Sequence, residues 1–120
     1  MNKAQAIHNF WSSFGVPAYQ QDTVPQDAVM PYITYNVATA EIDSYVGLYA
    51  SIWDYGTSWE AVHLLADAIA LKVASMYPIK LDNGYLRLDI GAPFSQTMSD
   101  EDDMIRRVYI NLQAEFLTEH

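Results

Sequence analysis

The chain has 120 residues, of which 15 are acidic and 6 basic, giving a formal net charge of −9, and it contains no cysteine. That length allows one domain that buries about two-thirds of its unfolded surface. The missing cysteines exclude a disulfide framework, thiolate catalysis, iron–sulfur clusters and cysteine-ligated zinc, and six scattered cations are too few to wrap nucleic acid.

No apolar run approaches the ~18 residues of a membrane span, and the first residues lack the charged-then-apolar pattern of a signal peptide. The expectation is a soluble, acidic, single-domain protein (residues 1–120) made in a reducing compartment.

Asn2 is placed to cap a first helix whose apolar stripe is Ile7, Phe10, Trp11 and Phe14, at i, i+3, i+4 and i+7. Gly15 and Pro17 end it, glycine being free to turn left-handed and proline unable to continue a helix. Residues 18–29 read as turn-rich. Tyr32, Ile33, Thr34, Tyr35, Asn36 and Val37 read as a strand, rich in β-branched and aromatic residues. A connection at 38–44 leads into a longer strand from Tyr45 to Tyr55.

Thr57, Ser58, Trp59 and Glu60 form a capping-box pattern that opens a second helix, predicted to run to Tyr77 because Pro78 disfavours helical geometry before it. A hairpin follows. A two-residue turn at Asn83 and Gly84 would pair Leu81 with Leu86 and Ile79 with Leu88, placing all four on one face. Gly91 and Pro93 break the pattern, and residues 99–103 read as an acidic loop. The last strand alternates, with Val108, Ile110, Leu112, Ala114 and Phe116 inward and Arg107, Tyr109, Asn111, Gln113 and Glu115 outward. The order helix, strands, helix, hairpin, strand predicts an α+β, two-layer domain, a mainly antiparallel sheet with two helices packed on one face.

Chemistry finds little support in the motifs. Glu60 and His63 have the spacing of half a di-metal carboxylate site, but such a site needs two copies of the motif on four helices, and two are predicted here. His63 with Asp67 one turn on reads as an exposed polar edge, His8 as a helix-flank residue and His120 as mobile. Asp100, Glu101, Asp102 and Asp103 run together without the spacers and bending glycine of a calcium loop, so a solvated loop is expected, partly neutralised by Arg106 and Arg107. Ser12, Ser13, Ser58 and Ser75 lie in no nucleophile motif, and the isolated glycines form neither a dinucleotide loop nor a phosphate loop. No catalytic residue, metal or cofactor is expected.

The apolar residues exceed what two layers need. The second helix carries Val62, Ala66, Ile69, Val73 and Met76 as a core stripe, and Ala61, Leu64, Ala68, Leu71 and Ser75 on a neighbouring face. The Tyr45–Tyr55 strand sets Val46, Leu48, Ala50 and Ile52 on one side and Tyr49, Trp53 and Tyr55 on the other. Two readings stand: a broad core stripe with loops over the sheet, or a surface buried against another subunit, where Tyr and Trp are favoured.

The chain resembles the tail terminator (tail completion, or minor tail) proteins of long-tailed bacteriophages. The resemblance is carried by Met30, Pro31, Tyr32, Ile33, Thr34, Tyr35, Asn36 and Val37, by the Thr57, Ser58, Trp59 helix start, and by Arg106, Arg107, Val108, Tyr109, Ile110 and Asn111; the stretch Phe14, Gly15, Val16, Pro17 adds to it. It implies a non-catalytic virion subunit, assembled in the bacterial cytoplasm as a homo-oligomeric ring, typically of six. The ring caps the tail tube, stops its polymerisation and offers a surface to the head-tail connector, with DNA passing through unbound and no membrane involved. A ring needs two complementary patches per subunit. The candidates are Leu64, Ala68 and Leu71 on the helix and Tyr49, Trp53 and Tyr55 on the strand. Asp100, Glu101, Asp102 and Asp103 are expected at the lumen or rim, and the 38–44 connection is a candidate for tail-tube contact. The alternatives are a head-to-tail adaptor or head-completion ring protein, and a small α+β ligand-binding or enzymatic domain whose cavity is lined by tyrosines.

Overall fold

A computed structural model describes residues 1–37 and 45–118. Helix α1 (Lys3–Trp11) opens with a full capping box: Asn2 Oδ1 accepts the Gln5 amide at 2.8 Å and Gln5 Oε1 accepts the Asn2 amide at 3.0 Å. It tightens into a 3₁₀ turn (Ser12–Phe14), so Phe14 continues the stripe outside the α-helix proper. Gly15 closes the turn at φ 83°, a left-handed conformation that glycine adopts without steric cost.

The strands are β1 (Ala18–Gln20), β2 (Tyr32–Tyr35), β3 (Tyr45–Tyr55), β4 (Ile79–Leu81), β5 (Gly84–Met98) and β6 (Ile105–Thr118), with helix α2 (Glu60–Ser75) between β3 and β4. They form one curled six-stranded sheet in the order β1-β2-β3-β6-β5-β4. All pairs are antiparallel except β1 with β2. The α+β class, the mainly antiparallel sheet and the two helices on one face agree with the sequence.

Four local expectations are corrected. Strand β1 lies inside the stretch read as turns; its parallel pairing (Ala18 opposite Ile33) is long-range and leaves no local periodicity. Helix α2 starts at Glu60 rather than at a Thr57 cap. Its cap position is Trp59, with no side-chain cap, and Ser58 Oγ accepts the Glu60 amide; the helix ends at Ser75, two residues before Tyr77. The hairpin turn sits at Asp82 and Asn83, with Leu81 opposite Gly84 and Ile79 opposite Leu86. That slip of two keeps every side chain on its expected face, since strand faces repeat every second residue.

The fourth correction concerns β5. Gly91 and Pro93 do not end it but form a bulge: Ile90 faces Leu112, the next pair is Ser95 with Ile110, and the strand runs on to Met98. Gly91 fits there because it lies against Asn111, where an added Cβ would come within 2.7 Å of the Asn111 carbonyl oxygen and Cγ.

One face of the sheet holds the core. Ile33, Leu48, Ile52, Leu86, Val108, Ile110 and Leu112 meet Ile7, Phe10 and Trp11 of α1 and Val62, Ala66, Ile69 and Val73 of α2 in a single buried cluster. All eleven residues of β3 pair with β6, from Tyr45 opposite Glu115 to Tyr55 opposite Ile105. The inward set predicted for β6 is buried from Val108 to Phe116.

Candidate functional site

Among the described residues, no helix lies over the other face of the sheet. Register alone decides which residues share it: Tyr32 lies opposite Trp53, Thr34 opposite Ser51, Ser51 opposite Tyr109, and Trp53 opposite Arg107. Because these residues alternate with core residues on their own strands, all of them point away from the helices. Tyr19, Tyr49, Tyr55 and Tyr85 fall on the same face by the same alternation.

These side chains are organised. Trp53 Nε1 donates to Thr34 Oγ1 at 2.9 Å, and Arg107 Nε donates to Ser51 Oγ at 3.0 Å. The Arg107 guanidinium lies 4.5 Å from the centre of the Trp53 ring, within cation–π range. Tyr49 and Tyr109 stack with ring centres 5.8 Å apart and planes 21° from parallel, and Tyr19 meets Tyr32 edge-on at 5.7 Å. The result is a groove of about 490 Å³ whose lining includes Tyr32, Tyr49, Trp53, Arg107 and Tyr109. Burial pushes the Tyr109 phenol above the ordinary tyrosine range, Tyr49 adds to that shift, and the Arg107 cation opposes it.

The predicted interface residues occupy two opposite sides of the domain. Tyr49 and Tyr55 are 41% and 57% exposed on the uncovered sheet face, where Trp53 is half-buried under Arg107. Leu64 and Leu71 are 60% and 71% exposed on the outer face of α2, with Ala68 exposed between them. The second helix stripe is therefore not a widened core stripe, although Leu65 does pack against the core.

Asp100, Glu101, Asp102 and Asp103 are exposed at the tip of the β5–β6 hairpin. Asp100 Oδ1 accepts the Asp102 amide and Asp102 Oδ1 accepts the Met104 amide, so those two carboxylates shape the turn. Among the described residues neither Arg106 nor Arg107 forms an ion pair with these carboxylates. Arg106 donates to the Asp103 and Ile105 carbonyl oxygens and stacks on Trp59 at 5.2 Å, whereas Arg107 crosses to the uncovered face. Alternation along β6 sends the two arginines to opposite faces.

Glu60, His63 and Asp67 are exposed on α2, with the His63 ring tilted 5.9 Å from Trp59. His8 is tied to Tyr35 and Ser12. Among the described residues no three acidic or histidine side chains form a metal-ligating group. His120 and the 38–44 connection lie outside the described residues.

Arg107, Tyr109, Thr34 and Ser51 were not singled out from the sequence as part of this surface. Their signal was the polar alternate of each strand. Its meaning depends on knowing that β6 lies beside β3.

A comparison with protein-family models finds no match, and a search of curated proteins finds no similar sequence.

Proposed function

We propose that the protein is a structural subunit of a bacteriophage virion that assembles as a ring on the head-proximal end of the tail tube, stops tube growth and offers a surface for head attachment. One observation carries the reading: two unlike sticky surfaces lie on opposite sides of one two-layer domain. The uncovered sheet face presents tyrosines, a tryptophan and an arginine, residue types enriched at interface centres. The outer face of α2 presents Leu64, Ala68 and Leu71.

Surfaces placed this way suit a head-to-tail contact, which closes into a ring when its rotation closes. The sequence resemblance to tail terminators supplies the particle and the position in it. In such a ring repeated subunits multiply the −9 charge around a DNA path that must not hold phosphate.

Native mass spectrometry of the purified protein, with negative-stain microscopy of the protein mixed with tail tubes, tests the reading. Closed rings, free or on tube ends, are the expected result. A strict monomer at high concentration that adds nothing to tube ends would overturn it. Gene deletion separates it from a head adaptor: loss of a terminator gives tails of abnormal length, while loss of an adaptor leaves normal tails unattached.

A further inference from the structure

Arg107 is an unusual cation in this molecule. It is half-buried in a groove of aromatic side chains, its ring-facing side lies on Trp53, and its Nε is used by Ser51. Its two terminal nitrogens have no partner among the described residues. Arg87, on the same sheet face, is matched differently, with Glu115 at 2.9 Å and Asp89 at 3.5 Å. A guanidinium stacked by its face and fixed at Nε keeps the outer edge that binds a carboxylate through two parallel hydrogen bonds. Tyr49 and Tyr109 wall the same groove.

The hairpin tip supplies the complementary chemistry. Asp100 and Asp102 each commit one oxygen to holding the turn, whereas the carboxylates of Glu101 and Asp103 are engaged by no described residue. The tip's own carboxylates leave Arg107 unpaired.

We propose that the Arg107 groove receives the acidic tip of a second copy of this chain, with Glu101 or Asp103 of that copy on the free edge of the guanidinium. The proposal rests on the ring reading and names the contact that would set its register. Charge complementarity selects the occupant: the tip is a run of four acids, and the groove offers a preoriented cation between neutral aromatic walls. In the proposed ring each subunit gives its tip to one neighbour and its groove to the other, the arrangement of a heterologous contact.

A charge-swap series read by native mass spectrometry and sedimentation at low salt tests this. Arg107→Glu, and separately the pair Glu101→Lys with Asp103→Lys, should each weaken association roughly 30-fold or more. The protein carrying all three changes should associate again. Arg107→Gln, which keeps bulk and loses charge, should also weaken association, and circular dichroism on every variant separates loss of contact from loss of fold. Rings that persist in both Arg107 variants would overturn the proposal while leaving the ring reading intact. Loss in both single-side variants without recovery in the triple variant would overturn it too, because the carboxylate would then come from elsewhere. A wild-type protein that never associates would overturn both.

Discussion

His8 Nδ1 lies 2.6 Å from the hydroxyl oxygen of Tyr35, joining helix α1 to strand β2. Tyr35 is buried, and desolvation holds its phenol above the ordinary tyrosine range. The other ring nitrogen, Nε2, faces Ser12 Oγ at 3.3 Å. Through these two contacts His8 ties the end of α1 to β2. Tyr35→Phe should cost about 1 kcal/mol, the usual net value of one hydrogen bond, as measured by urea unfolding.

The same tyrosine gives a pH dependence. The folded-state pKa of Tyr35 is raised above its unfolded value near 10, so the folded state keeps its proton longer than the unfolded chain. Its contribution to stability is complete below about pH 10 and is lost as pH rises through the raised folded value. Tyr109 acts with the same sign. Ultraviolet titration should show tyrosines ionising late, and Tyr35→Phe should flatten the alkaline fall in urea midpoint.

Helix α2 carries a core residue and an exposed leucine within three residues. Ile69 is fully buried, and Ile69→Ala should cost about 2–5 kcal/mol. Leu71 is 71% exposed, so Leu71→Glu should change monomer stability by no more than about 0.5 kcal/mol. Under the proposed ring reading the same Leu71→Glu change weakens oligomerisation. Paired thermal melts and native mass spectra check both halves.

Gly91→Ala should destabilise by about 1–3 kcal/mol, the range for overpacking, because the new methyl group meets the Asn111 backbone oxygen as well as its side chain. A side chain can swing away, but a carbonyl inside a β-ladder moves only with its strand. A calorimetric melting temperature no lower than wild type would show that the bulge relaxes instead.

Elements whose signal is local were legible in the sequence. The α1 stripe, the bounds of β3, the alternation of β6 and the shared face of Ile79, Leu81, Leu86 and Leu88 all follow from periodicity within a dozen residues. Parallel β1 escaped because three residues paired across the chain carry no periodicity. The hairpin register slipped because both turn positions satisfy the same face pattern. Surplus aromatic residues on β3 were visible, but the groove they enter was not. It takes Thr34 from β2, Trp53 from β3 and Arg107 from β6, and their meeting depends on strand order.

Strand order also fixes when the molecule can come together. The sixth strand in sequence is inserted between the third and the fifth. While the chain is being made, β3 has Val46 to Ile52 and no neighbour on its long edge, and β5 has none on the side that β6 will fill. An open edge of that length is a template for pairing with another chain. The two halves of the sheet therefore wait for residues 105–118, and loop closure between β3 and β6 spans some fifty residues before that ladder starts at Tyr55 and Ile105. Cutting β6 away would remove the seam of the sheet rather than its margin, leaving two aggregation-prone ribbons.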